Sequence, residues 1–132
     1  MIVVDTNIIC YFFLTGEHNQ EVELLLQKDP NWIAPVLWRS EFRNVLATYM
    51  QNAIIDLEDA QQLMAEVLAF MHGREFTVPS SQVLGIAQAI GLSAYDCEFI
   101  ALAQETGSLL ITSDQKIVAA QGDFARLLGD FV

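Results

Sequence analysis

The tightest constraint on this chain is a recurring pattern: very short, mostly apolar runs rich in β-branched residues, each interrupted by a polar residue or proline and followed by a helical repeat. Ile2-Val3-Val4 comes first and is broken by Asp5-Thr6-Asn7. A run apolar on both sides of the pleat suits a strand covered on both faces, as in a parallel sheet. Trp32-Ile33-Ala34 before Pro35, Phe76-Thr77-Val78 before Pro79, and Leu109-Leu110-Ile111 before Thr112-Ser113-Asp114 repeat the pattern. The tail, Arg126 to Val132, is a candidate fifth strand.

Helical periodicity fills the intervals. Ile8 to Leu14 reads as a buried helix, and Glu17 to Lys28 carries Val22, Leu25 and Leu26 at helical spacing. Leu37 to Met50 aligns Trp38, Phe42, Val45, Leu46 and Tyr49 in one stripe. Asp56 opens a helix with Leu63, Met64, Val67, Leu68 and Met71 inward and Gly73 placed for its C-terminal cap. Ser80 or Ser81 is expected to cap a helix to Ile90, Ser93 opens another through Gln104, and a short helix spans Lys116 to Gln121. Short strands alternating with helices predict an α/β fold: a single three-layer domain over residues 1–132, with a parallel sheet of four to five strands and helices on both faces.

Composition narrows the functional classes. Of 132 residues 53% are apolar and 17% charged, which excludes disorder. Six Lys and Arg against seventeen Asp and Glu give a formal charge of −11, which argues against holding a nucleic-acid duplex by counterion release and suits a cation or a basic protein partner. Cys10 and Cys97 form no CxxC pair and read as two buried thiols. No apolar run is long enough for a membrane span, and the acid at position 5 does not suit a signal peptide, so a complete cytoplasmic protein is expected.

In parallel α/β sheets ligands collect beyond the carboxyl ends of the strands, and acids stand at two such ends. Asp5 follows the first strand and Asp114 the fourth; each also suits an N-cap. Asp96, in Ser93-Ala94-Tyr95-Asp96, has the spacing of a capping box, a role compatible with reaching a cation. Glu41 lies about 85° from the centre of its helix's apolar stripe, either solvated and paired to Arg39 or Arg43, or turned toward a site. A set of such acids suits a hard divalent cation such as Mg²⁺ or Mn²⁺, which can activate water against a phosphodiester.

Four segments together, Ile2-Val3-Val4-Asp5-Thr6-Asn7, Trp38-Arg39-Ser40-Glu41-Phe42, Leu92-Ser93-Ala94-Tyr95-Asp96-Cys97 and Leu110-Ile111-Thr112-Ser113-Asp114, resemble the PIN-domain ribonucleases, and within them the VapC-like toxins of toxin–antitoxin pairs. The resemblance implies a Mg²⁺- or Mn²⁺-dependent endoribonuclease. Asp5, Glu41, Asp96 and Asp114 would form the acidic set, with Asp5 and Asp96 the direct ligands and Thr6 or Thr112 a polar helper. It further implies a homodimer, an RNA substrate and inhibition by a basic antitoxin. Some members carry another acid where this chain has Ile117, which counts against a second tightly held metal.

Other residues carry less. Arg39 and Arg43 are solvated helix charges or RNA contacts; Trp38, Tyr49, Met50, Met64, Phe70 and Met71 are core or dimer interface; His18 and His72 are not catalytic. A phosphoaspartyl receiver would need paired acids after the first strand, and a haloacid-dehalogenase-type phosphatase would need Asp at position 7, which is Asn. A PIN-like protein of RNA processing, or a scaffold that only binds a partner, stands as the alternative.

Overall fold

The computed structural model describes residues 1–132. Ile2–Val4 form β1, fully buried at the centre of the sheet. β2 (Trp32–Pro35) pairs on one side, Ile2 beside Trp32 and Val3 beside Ile33, and β4 (Leu109–Thr112) on the other, Val3 beside Leu110 and Val4 beside Ile111. β3 (Glu75–Phe76) and β5 (Ala125–Leu127) complete a five-stranded, wholly parallel sheet of order β3-β2-β1-β4-β5. Continuous apolar runs form these inner strands because both faces are covered.

The connections supply the cover. β1 leads through α1 (Thr6–Phe13) and α2 (Asn19–Lys28) to β2, and β2 through α3 (Trp38–Gln51) and α4 (Leu57–Phe70) to β3. The chain then crosses back through α5 (Ser80–Ile90) and α6 (Ala94–Thr106) to β4, and through α7 (Gln115–Ala120) to β5 and a last turn, α8 (Leu128–Phe131). Right-handed crossovers therefore place α1–α4 on one face and α5–α7 on the other. α6 packs across β1, β2 and β4 and buries Cys97 and every residue from Phe99 to Ala103, so it is apolar nearly all round. Trp32, Trp38 and Phe42 are the largest fully buried side chains; Met71 is also buried, while Tyr49, Met50, Met64 and Phe70 pack partly buried against the core. Cys10 and Cys97 are free, buried thiols. No single helix is long and apolar enough to cross a membrane.

The edges differ from expectation for reasons of pairing. The third strand is Glu75–Phe76 rather than Phe76–Val78: Phe76 pairs with Pro35, the last residue of β2, and beyond it no partner strand continues. Pro35, expected to end β2 from outside, is its final residue. The tail pairs only over Ala125–Leu127, since Leu127 meets Thr112 where β4 ends, and it then coils into α8. Neither Ser80 nor Ser81 caps α5; Pro79 stands at the cap without a side-chain bond. α2 starts at Asn19 instead of Glu17, because the Asn19 amide closes the preceding loop by donating to the Tyr11 and Leu14 carbonyls at 2.6 and 2.9 Å.

Candidate active site

The strand order reverses at β1, whose neighbours β2 and β4 are reached by crossovers on opposite faces, and a crevice opens between the carboxyl ends of β1 and β4. Asp5 and Asp114 stand at those two ends, each as a helix N-cap. The Asp5 carboxylate accepts the Ile8 N–H at 3.1 Å and that of Asp114 the Lys116 N–H at 2.8 Å, so the capping and site readings of both acids coincide in space. α3 brings Glu41 and α6 brings Asp96 to the same recess of about 90 Å³, lined also by Thr6, Asn7, Phe99 and Ile117. All four predicted acids therefore meet, from four separate elements. Ile117, where an acid would add another ligand, walls one side with hydrocarbon.

Hydrogen bonds hold the acids in place. Thr112, with no exposed surface, donates its hydroxyl proton to Asp5 and accepts the Asp114 N–H at 2.9 Å, linking the two strand-end acids through one oxygen. The Ser113 N–H adds a 3.3 Å bond to the same Asp5 oxygen. Thr6 donates to Glu41 at 2.6 Å. Ser93 caps α6 by accepting the Asp96 N–H at 3.1 Å, but the reciprocal half of the capping box does not form, and the Asp96 carboxylate turns to the recess instead.

The charges are under strain. Burial, opposed by the Thr112, Ile8 and Ser113 bonds and reinforced by the charge of Glu41, pushes the Asp5 carboxyl from 3.8 up to about 6. Burial and then the charge of Asp96 raise Glu41, against the Thr6 bond. Glu98, two residues beyond Asp96, is raised by burial and by the charge of Glu41. Burial, with Asp5 and Glu41, drives the Cys10 thiol up to about 12, so it is inert at neutral pH.

The cations that could have relieved Glu41 lie elsewhere. Arg39 makes a two-bond pair with Glu75, both at 2.6 Å, and Trp38 Nε1 donates to the same carboxylate at 2.8 Å; Arg43 donates to Ser40 Oγ at 3.1 Å. Arg39 is thus neither a loose surface charge nor a partner of Glu41. Neither His18, stacked on Tyr11, nor His72 lines the recess.

The donors, carboxylates and threonine hydroxyls, are all oxygen, the set a hard cation takes. No three of the chain's acids, histidines and cysteines close into a ready-made metal cage. Sequence reasoning missed Ser40, Asn44 and Tyr95, which line an adjoining groove; the spacing of Ser40 and Asn44 with Glu41 on one helix was the available signal.

Fold and site together define a doubly wound parallel α/β domain with an acidic recess at its switch point. The PIN domain family profile matches residues 2–122, and the chain belongs to that family. PAE2754 from Pyrobaculum aerophilum is structurally similar, with a TM-score of 0.77 at 20% identity over 98% of this chain and 92% of that one. A toxin–antitoxin complex from Klebsiella pneumoniae gives 0.72 at 16% identity over 97% and 98%, and FitAcB from Neisseria gonorrhoeae gives 0.67 at 20% over 96% and 96%. At such identities the likeness is one of fold. No curated protein sequence matches the chain.

Proposed function

We propose that this protein is a Mg²⁺- or Mn²⁺-dependent endoribonuclease, the toxin of a toxin–antitoxin pair. The observation that carries the reading is the meeting of Asp5, Glu41, Asp96 and Asp114 around one recess with no Lys or Arg among them. Four acids sharing so small a space repel one another unless a cation joins them, and membership of the PIN domain family accords with nuclease chemistry.

Asp5 and Asp96 would hold the ion, with Asp114 bound to it directly or through water. Such an ion would supply positive charge to activate a water and to offset charge on a phosphodiester. Thr112 fixes the Asp5 carboxylate, and its bond to the Asp114 N–H keeps both acids in register with the strand ends. Glu41, held by Thr6 and raised by burial, is suited to take a proton from the attacking water. Lys116, at the start of α7, is exposed and leaves the recess without a competing cation.

The toxin assignment draws on the fold shared with the Klebsiella pneumoniae toxin–antitoxin complex and on the −11 charge, which suits a basic antitoxin placing a cationic side chain among the acids. A homodimer in the cytoplasm belongs to the same reading. The test is cleavage of a generic RNA by purified protein. Activity requires Mg²⁺ or Mn²⁺ and stops with a chelator, and Asp5→Asn and Asp96→Asn each lose at least 100-fold in rate with native circular dichroism. Activity indifferent to chelation, or retained by both variants, refutes the reading.

A further inference from the structure

Each of the four acids stands at the start of a helix, and three of those starts are capped by a side chain. Asp5 and Asp114 cap α1 and α7 themselves, and Ser93 caps α6. α3, which carries Glu41 in its first turn, has no such cap: Leu37 occupies the cap position in a helical conformation and makes no side-chain bond. A first turn without a cap leaves backbone donors unsatisfied and frays. The bond from Thr6, at 2.6 Å, holds Glu41 only at its carboxylate end.

The missing support comes from β3. Neither residue of this two-residue edge strand is buried, so the strand adds little to the core. What it contributes is the Glu75 carboxylate, whose side chain is 12% exposed. That carboxylate accepts from Arg39 Nε and Nη2, both at 2.6 Å, and from Trp38 Nε1 at 2.8 Å. A two-pronged guanidinium–carboxylate pair fixes direction as well as distance. Trp38 has no exposed surface, so its N–H depends on this acceptor. The backbone adds another tie just before α3, from the Val36 N–H to the Phe76 carbonyl at 3.0 Å. At about 100° per residue, Trp38 is the neighbour of Glu41 one turn back, and Arg39 stands on the opposite side of the helix. The turn is thus gripped on two sides by residues that do not line the recess.

We propose that Glu75 is a positioning residue for Glu41: by clamping Trp38 and Arg39 it takes the place of an N-cap for α3 and sets where the Glu41 carboxylate stands. The kinetic consequence rests on the ribonuclease reading above; the structural one rests on the hydrogen-bond geometry alone.

The test compares wild type with Glu75→Gln, Arg39→Gln and Glu58→Gln, the last removing one negative charge from the exposed first turn of α4. Amide hydrogen exchange of the metal-free proteins reads the start of α3, and cleavage of a generic RNA at saturating Mg²⁺ reads the reaction. Exchange at Glu41 and Phe42 rises about tenfold in Glu75→Gln and Arg39→Gln, with α1, α6 and α7 unchanged. In both variants kcat falls about fivefold while KM stays within about twofold, and Glu58→Gln matches wild type throughout. The Arg39 side chain is 42% exposed, so its variant folds even if orphaning the buried Trp38 N–H unfolds Glu75→Gln. Unchanged exchange at Glu41 and Phe42 in the folded variants overturns the clamp, as does an equal loss of kcat in Glu58→Gln. Raised exchange with kcat unchanged overturns the positioning role and leaves the nuclease reading standing. Raised exchange in variants of a wild type that cleaves nothing overturns the nuclease reading and keeps the clamp.

Discussion

Thr112 is the hinge of the site at the scale of single residues. Its one hydroxyl accepts from the Asp114 backbone and donates to Asp5, so its replacement disturbs two acids at once. Thr112→Val keeps the shape and removes both bonds; Mn²⁺ affinity measured by calorimetry is expected to fall about 10- to 100-fold, whereas Thr112→Ser stays within about threefold. Asp5 gives a pH signature. Its pKa is raised on folding, so between about pH 4 and 6 the native state binds more protons than the unfolded one, and metal-free stability falls as pH rises through that window. The loss is on the order of 3 kcal/mol by pH 7. Thermal unfolding of the metal-free protein should therefore show a higher Tm at pH 5 than at pH 7.5, with Mg²⁺ recovering the difference; a Tm that climbs from pH 5 to 7.5 without metal contradicts this. Asp5 and Asp114 were legible in the sequence because a strand end and a helix cap are local features. The Thr112–Asp5 bond spans 107 positions and leaves no local trace, and neither does the diversion of Arg39 to Glu75.

At the scale of elements, each acid is aimed by the way its helix begins. α1 and α7 start on Asp5 and Asp114 themselves, and α6 starts on Ser93, whose single bond to the Asp96 N–H leaves the carboxylate free. The first turn of α3 is tied to edge strand β3 by the Glu75 bonds from Arg39 and Trp38, and Glu75 is held below the usual carboxylate range chiefly by Arg39. Glu75→Gln is expected to shift Glu41 and lower kcat several-fold while leaving Mn²⁺ affinity within about threefold; an unchanged kcat removes β3 from the account. After α3, Ala53 adopts φ 55°, a left-handed conformation costly for any residue with a Cβ. Ala53→Gly is expected to stabilise the protein by about 0.5–1 kcal/mol, read as a Tm rise of about 2–4 °C. The inner strands and most helices were readable because burial on both faces and the 3.6-residue repeat mark them. The edge strands were not, because their length is set by where Pro35 and Thr112 end the neighbouring ladders.

At the scale of the molecule, the parallel topology converts acids far apart in sequence into neighbours. Central β1 supplies Asp5, adjacent β4 leads into Asp114, and the helices on opposite faces, α3 and α6, lean Glu41 and Asp96 over the same end of the sheet. The central claim is that a divalent ion is shared among the four acids, and crystals soaked in Mn²⁺ test it most directly. The account predicts an anomalous peak in the recess at about 2.0–2.4 Å from carboxylate oxygens of Asp5 and Asp96, absent in Asp5→Asn crystals. A fully loaded crystal with no peak there, or with its only peak elsewhere on the acidic surface, contradicts it.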